Sequence, residues 1–309
     1  MQSNHNHSDI IDLKQLFYIL WNKKIFISTV TVIFAVFSIF YALSLPNIYK
    51  SKATLSPTSS NDSLSSQLSS FSSLANIAGV KIPGGEVSKT QEAIKRINSL
   101  EFFSKHIFPE IKLENLMAVS QWIPEKNIIL YDSNIFDIKG SKWVREVTYP
   151  YKVIPSKQEA FNVYRDILSI SEDSTTSFVT LVVKHESPYI SKRWVDLIIK
   201  SINLSMREED KKISQNSLEY LNDFLESTNI KSIRDTISVL QEEQMKTLML
   251  TSSSDSYIFK TIDSAVVPEL KSEPKRSLIC ILGTILGFIT SILIVLIVNY
   301  FKKTQQKTI

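Results

Sequence analysis

The chain has 309 residues, a formal net charge of +4 and 43% hydrophobic residues, with one cysteine and six glycines. A single cysteine excludes an internal disulfide, so any folded domain must be held together by its core. The positive excess lies wholly in the two ends, residues 1–24 and 302–309, while the long segment between them is balanced. This balance argues against nucleic acid as a partner, because little counterion release is available.

The first predicted element is a transmembrane helix over residues 25–45, preceded by the tail 1–24. The run IFISTVTVIFAVFSIFYALSL has no charged residue in 21 positions, and about 20 apolar residues are enough to cross a bilayer as a helix. The apolar region of a cleaved signal peptide is shorter and is followed by small residues at the cleavage site. We therefore expect an uncleaved membrane anchor.

A second transmembrane helix is predicted over residues 277–301, followed by the tail 302–309. Short flanks rich in lysine stay in the cytoplasm, whereas long domains cross regardless of charge. Both termini are therefore expected to be cytoplasmic, with residues 46–276 outside. Lys275 and Arg276 stand on the outer side of this span and oppose the rule, so the first span must set the orientation.

The first part of the outer segment predicts a strand, a long loop and a helix. Residues 47–55, NIYKSKATL, alternate apolar and charged side chains, which indicates a strand with one wet face. Ten serines in residues 56–73, followed by Gly79, Gly84 and Gly85, indicate a loop. An apolar face at helical spacing predicts a helix from Lys89 to about His106. Prolines divide residues 110–155 into short pieces whose structure stays open.

The second part predicts a helix over 157–170, a buried strand over 177–185 and then a long helix. Ser187-Pro188 favours a helix start, with the serine as cap and the proline at the first position. No glycine or proline follows until after Glu226, so about 40 residues give a rod of roughly 60 Å. A further helix from Ile230 extends this region to about 187–250.

The last predicted element of the outer domain is a strand over residues 256–268, which returns to the second span. We expect it to pair with the strand near residue 50 in a membrane-proximal sheet. The fold class is thus α+β, with two transmembrane helices flanking a mixed α/β base and a long extended helix. The apolar stripe of that helix needs partners, which neighbouring copies of the chain are expected to supply.

The sequence lacks the motifs that indicate an enzyme active site, a cofactor site or a metal site. It has no glycine-rich phosphate loop, no Cys/His cluster at metal-ligand spacing and no G-x-S-x-G motif. We therefore predict no catalytic, cofactor or metal site. The run Glu208-Glu209-Asp210-Lys211-Lys212 is interpreted as a solvated helix face with an i,i+4 pair between Glu208 and Lys212.

The junction with the second span carries the candidate functional residues. Gly283 and Gly287 share one helix face, and small residues at this spacing allow membrane helices to approach closely. Pro268 and Pro274 stiffen the backbone ahead of the span. Lys275 and Arg276 are expected to anchor the helix end at the headgroups.

Four segments in order resemble the Wzz-type polysaccharide co-polymerases, the bacterial chain-length determinant proteins. They are YKSKATLSP after the first span, QEAIKRINSLEFFSKHI, HESPYISKRWVDLIIKSIN, and IDSAVVPELKSEPKRSLICILGTILGFITS at the second span. The proline-rich motif of that family corresponds here to Pro268, Pro274, Lys275, Arg276, Gly283 and Gly287. Each segment alone is weak, but their order and spacing cover nearly the whole chain.

The resemblance implies a non-catalytic regulator in the inner membrane of a Gram-negative bacterium. Members form ring-like homo-oligomers and act with a membrane polymerase that joins lipid-linked oligosaccharide repeats. They set the modal length of the product. Larger relatives carry a cytoplasmic tyrosine kinase, for which the eight residues after Phe301 leave no room. That favours lipopolysaccharide O-antigen over capsule, with enterobacterial common antigen open.

A different class also fits two spans and an outer domain. A periplasmic ligand-binding sensor has the same topology, but it predicts an output domain after the second span, which a partner would have to supply here. An outer hydrolase predicts a catalytic constellation, which the sequence does not offer.

Overall fold

Residues 13–58, 88–253 and 255–306 are described by a computed structural model of mixed helix and strand content. The described residues divide into two compact units: those within 1–47 and 272–309, called here the membrane unit, and those within 48–271, called here the outer unit. Most of the predicted serine-rich loop, together with Gly79, Gly84 and Gly85, lies outside the described residues.

The elements follow one another as helices and short strands. The helices are α1 (Leu13–Asn22), α2 (Lys24–Ser44), α3 (Lys89–Ile97), α4 (Leu100–Phe102), α5 (Leu113–Met117), α6 (Lys157–Ile167), α7 (Pro188–Ser227), α8 (Lys231–Ser253) and α9 (Arg276–Gln306). The strands are β1 (Tyr49–Pro57), β2 (Val119–Ile123), β3 (Ile128–Tyr131), β4 (Phe136–Asp137), β5 (Lys142–Trp143), β6 (Leu168–Glu172), β7 (Val179–His185) and β8 (Phe259–Asp263). A π-helical turn over Phe103–Ile107 continues α4.

The membrane unit is built on α2 and α9, which pack along each other. Both are long and apolar enough to cross a membrane, with mean hydropathies of 2.3 and 2.8 over their apolar windows. Their bounds lie close to the predicted spans 25–45 and 277–301. The sequence signal is strong because an uncharged run of this length has few other uses.

The outer unit is organised on an antiparallel sheet with the strand order β6-β7-β1-β8. The predicted pairing of the first and last strands is confirmed, with Leu55 opposite Thr261 and Pro57 opposite Phe259. On its other side β1 pairs with β7, from Tyr49 opposite His185 to Leu55 opposite Val179. Residues far apart in the sequence thus form one platform.

One face of this sheet forms the core with the first half of α7. The buried strand predicted over 177–185 is observed as β7, in which every second residue is buried and the residues between are half-buried. Trp194, Val195 and Ile198 of α7 pack on this face, and α3 and the π-helical turn close it with Ile97 and Phe103. This burial of apolar surface fixes where α7 begins.

Three local predictions are corrected. The helix expected over 89–106 breaks after Ile97, because Ser99 caps a new start by accepting a hydrogen bond from the Phe102 backbone N–H at 3.1 Å. The helix expected over 157–170 ends at Ile167, where β6 begins. Pro188 does open α7, but the Ser187 side chain makes no capping bond; its backbone N–H donates to His185 Nδ1 instead.

The long helix is confirmed: α7 has 40 residues, about 60 Å at 1.5 Å per residue. α8 packs along its second half, where Gln241 Nε2 donates to Asn222 Oδ1 at 2.7 Å. Few side chains are buried where α8 packs along the second half of α7, and large apolar residues stay exposed there. They include Ile213, Tyr220, Phe224, Val239, Leu240, Met245 and Met249.

Candidate functional site

Arg276 closes the carboxyl end of α2 from the start of α9. Its Nε donates to the Ala42 carbonyl at 3.0 Å, and its Nη2 donates to Asn47 Oδ1 at 3.1 Å and the Leu45 carbonyl at 3.5 Å. The last carbonyls of a helix lack intrahelical partners and carry partial negative charge. A guanidinium supplies several donors in a fixed fork, so one side chain satisfies the Ala42 carbonyl of the last turn and also bonds to two residues just beyond it, Leu45 and Asn47.

The Arg276 side chain thus bonds to the end of the first membrane helix, and its expected anchoring at the headgroups stays a prediction. Lys275 is exposed and begins the first turn of α9 by accepting from the backbone N–H groups of Leu278 and Ile279, at 3.0 and 3.2 Å. The two adjacent cations therefore have different surroundings.

Gly283 and Gly287 lie directly against α2. A Cβ added to Gly283 would stand closer than 3.0 Å to Ser38, and one added to Gly287 equally close to Phe34. Ser291, one further turn along α9, is fully buried. Residues at four-residue spacing on α9 thus face residues at the same spacing on α2, which is the geometry that lets helix backbones approach closely.

The hydroxyl groups near this seam are satisfied within their own helices. Ser38 Oγ donates to the Ala35 carbonyl at 2.9 Å, and Ser291 Oγ to the Phe288 carbonyl at 2.7 Å. Packing, together with the Arg276 bonds at one end, therefore holds the α2–α9 pair. In an apolar solvent such close packing is a main source of helix association.

The six sequence-predicted residues do not form one cluster. Arg276, Gly283 and Gly287 contact α2, while Lys275 and Pro274 form the start of α9, with the Arg276 backbone N–H donating to the Pro274 carbonyl at 3.0 Å. The Glu273–Pro274 peptide bond is cis. Pro268 belongs to the outer unit.

A buried amide, which was not predicted from the sequence, ties α7 to β8. Asn203 Oδ1 accepts from the backbone N–H groups of Ile258 and Phe259, at 2.8 and 2.9 Å, and its Nδ2 donates to the Phe259 carbonyl at 3.1 Å. The side chain thus replaces a neighbouring strand at the start of β8. The sequence contains one sign of this contact: Asn203 is a polar residue on the apolar face of the predicted long helix.

The interpretation of the acidic run on α7 as a solvated face is corrected at Asp210. Asp210 is largely buried and accepts from Lys89 and from the Tyr257 hydroxyl, whereas Glu209 is exposed and pairs with Arg96. Burial, followed by the hydrogen bond to Asp210, raises the pKa of Tyr257. The Asp210 contacts join α3 and the segment before β8 to α7.

A second missed residue, His185, is buried at the end of β7. Its Nδ1 accepts from the Ser187 backbone N–H at 2.8 Å, so its Nε2 carries the proton and donates to the Asn115 carbonyl at 2.8 Å. The ring meets Trp194 edge to face, with centroids 5.0 Å apart. Burial lowers the pKa of His185, so the neutral ring is favoured.

The described residues offer no grouping of His, Cys, Asp and Glu suited to a metal ion. What the arrangement provides is mechanical: a helix pair closed at one end by Arg276, and an outer unit whose elements are tied by Asn203 and Asp210.

Two family models match the chain. The model described as chain length determinant protein matches residues 9–107, and the model described as the G-rich domain on putative tyrosine kinase matches residues 235–300. A search of curated proteins found no match.

Solved structures give two similarities of low identity. One is to a full-length bacterial polysaccharide co-polymerase, with 14% identity and a TM-score of 0.41, covering 94% of this chain and 99% of that chain. The other is to a fragment of WzzB, a polysaccharide co-polymerase from Salmonella Typhimurium, with 12% identity and a TM-score of 0.29, covering 74% of this chain and 100% of that chain. At these TM-scores neither similarity bears on the arrangement of the two units.

Proposed function

This chain belongs to the chain length determinant family, and from that membership we propose that it sets the modal length of a surface polysaccharide made by a separate membrane polymerase. The match over residues 9–107 carries the proposal, because it includes α2, β1 and α3. The second match covers β8 and most of α9. Together the matches include both membrane helices and the strand pair β1–β8.

The product we propose is lipopolysaccharide O-antigen, elongated from lipid-linked repeats in the inner membrane. The outer unit lies in the periplasm and both termini lie in the cytoplasm. Support for this orientation is the confinement of the positive excess to residues 1–24 and 302–309. The two other products that fit are enterobacterial common antigen and capsule. Deleting the gene distinguishes them from O-antigen, because only the polymer that the chain regulates should change in length distribution.

The regulator acts as a homo-oligomer. The α7–α8 pair has an open apolar groove of about 420 Å³, lined by Tyr220, Phe224, Ile237 and neighbours, beside the exposed residues named above. Contiguous apolar surface of this kind marks association sites. We expect residues 46–276 alone to self-associate in sedimentation, and Phe224→Glu to weaken the association; a strict monomer at high concentration would contradict the oligomer.

Deleting the gene tests the function itself. Random addition and termination give a smoothly falling ladder, whereas a length regulator imposes a mode. We expect deletion to replace a peaked O-antigen distribution by a smoothly falling one while the total polymer persists. Complete loss of polymer would point to a synthetic enzyme, and an unchanged O-antigen with altered capsule or common antigen would reassign the product.

A further inference from the structure

The membrane unit has an apolar groove at the end of α2 that follows α1. It has a volume of about 560 Å³, and its walls come from all three helices of the unit. The walls include Leu20 and Trp21 of α1, Ile27 of α2, and Phe288 and Ile292 of α9, and Lys24 also lines it. One positively charged side chain, Lys24, thus lies at an apolar groove that runs along a membrane helix.

The cation is held beside an aromatic ring. The Lys24 Nζ lies 4.9 Å from the centroid of the Trp21 ring, over its face. Trp21 and Tyr18 are 59% and 68% exposed. Exposed tryptophan and tyrosine at the end of a membrane helix sit at headgroup level, where lysine can meet lipid phosphates.

A second groove of about 500 Å³ opens at the same end of the unit. It is lined by Tyr18, Lys23, Phe26, Ile294 and Val298, among others. It repeats the chemistry of the first groove: apolar walls from a membrane helix pair, an aromatic residue and one lysine. Lys23 lies between α1 and α2 and Lys24 is the first residue of α2, so adjacent lysines serve the two grooves.

The sequence of α1 fits a helix lying in the membrane interface. Its ten residues, LKQLFYILWN, place leucines and aromatic residues at helical spacing with no acidic residue. Such a helix keeps Trp21 and the two lysines at the level of the phosphates. An uncharged groove would take any acyl chain, but lysine next to it selects negative charge.

We propose that these grooves bind an anionic phospholipid of the leaflet that contacts α1, with its phosphate at Lys23 and Lys24 and an acyl chain along α2 and α9. The charge complementarity of the adjacent lysines favours this occupant over a neutral phospholipid. The apolar walls, which continue along the membrane helices, favour a lipid over a free phosphate. The site is independent of the proposed polysaccharide and belongs to the membrane unit alone.

Quenching of Trp21 tests the proposal on the full chain in phosphatidylcholine vesicles. A small fraction of lipid is replaced by acyl-brominated phosphatidylglycerol or, in parallel, acyl-brominated phosphatidylcholine. The Trp21 signal is the difference between the wild-type chain and Trp21→Phe, since three further tryptophans contribute. One lysine near the surface predicts roughly fivefold enrichment of the anionic lipid. Brominated phosphatidylglycerol should therefore quench as strongly as a severalfold higher fraction of brominated phosphatidylcholine.

Charge variants separate the site from a general surface effect. Lys23→Gln with Lys24→Gln should abolish the preference, and Lys23→Arg with Lys24→Arg should retain it. Lys275→Gln removes a positive charge next to the opposite end of α9 and should leave the preference intact. Equal quenching by both lipids would overturn the proposal. So would quenching by neither lipid, which would mean that protein, such as a second copy, covers the grooves.

Discussion

At the scale of single residues, Arg276 is the side chain on which the membrane unit depends most directly. Its bonds to the end of α2 are charged hydrogen bonds, each worth about 1.5–3 kcal/mol. We expect Arg276→Gln to lower the melting temperature of the full chain in detergent. Arg276→Lys should melt between the wild-type chain and Arg276→Gln, because the point charge of lysine reaches fewer acceptors. Lys275→Gln removes an exposed charge next to it and serves as the control. Equal losses in Arg276→Gln and Lys275→Gln would count against the closure of α2.

His185 gives the outer unit a pH dependence whose sign follows from its burial. The ring is 4% exposed, and burial lowers its pKa from the ordinary value of 6.5, with Glu186 opposing the shift. Above pH 6.5 the ring is neutral in both states and its contribution is fully present. As the pH falls below 6.5 the unfolded chain binds a proton that the folded chain resists, so stability is lost.

We therefore expect the melting temperature of the full chain to fall between pH 7 and pH 5, and His185→Gln to remove part of that slope. His106→Gln is the comparison variant: burial lowers the pKa of His106 as well, but this residue is only partly buried. Slopes that are identical in His185→Gln and the wild-type chain would exclude His185 as their source.

At the scale of elements, the glycine seam of α9 is the feature most open to test. Leucine at Gly283 and Gly287 would collide with Ser38 and Phe34 of α2, and overpacking costs about 1–3 kcal/mol per site. We expect the double leucine variant to insert, to lose thermal stability and to shift or flatten the modal length. Ile285→Phe with Ile289→Phe adds bulk at the same spacing on residues that are 49% and 50% exposed, and should keep the wild-type ladder. If the double leucine variant keeps the wild-type ladder and melting temperature, Gly283 and Gly287 have no role in helix packing or in setting the modal length.

The elements that could be predicted from sequence are those with a long or strict pattern. Three patterns repeat one signal over many residues. They are the uncharged runs that form α2 and α9, the alternation of apolar and polar residues in β1, and the stretch without glycine or proline that forms most of α7. The hairpin β2–β3 and the two-residue pair β4–β5 were not predicted, because short strands between prolines contain too few residues for a period to emerge.

The site could be predicted only in part, for a related physical reason. Glycine spacing indicates a close helix contact, but not which helix is met; the structure supplies α2. Asn203, Asp210 and His185 bind groups 47 or more residues away in the chain, and such pairings follow from the tertiary fold alone. Arg276 was recognised as a junction residue, but its acceptors lie more than 200 residues away.

At the scale of the whole molecule, the chain has a helix pair that is long and apolar enough to cross a membrane, and an outer unit with a long helical extension. The described part of the chain gives this extension few buried side chains of its own, and we propose that neighbouring copies cover it. We propose that this regulator acts by assembly and position, with no chemical step. Its effect must then appear in the shape of the product distribution and not in the amount of product.

Graded restoration in the deletion strain tests that claim most directly. The wild-type chain is expressed from an inducible promoter, and the O-antigen ladder is quantified at each level of the protein. We predict that a mode emerges at one fixed length, grows with the level of the chain, and leaves total polymer unchanged. A ladder that keeps its smoothly falling shape while total polymer rises with expression would contradict the account and assign the chain to synthesis or supply.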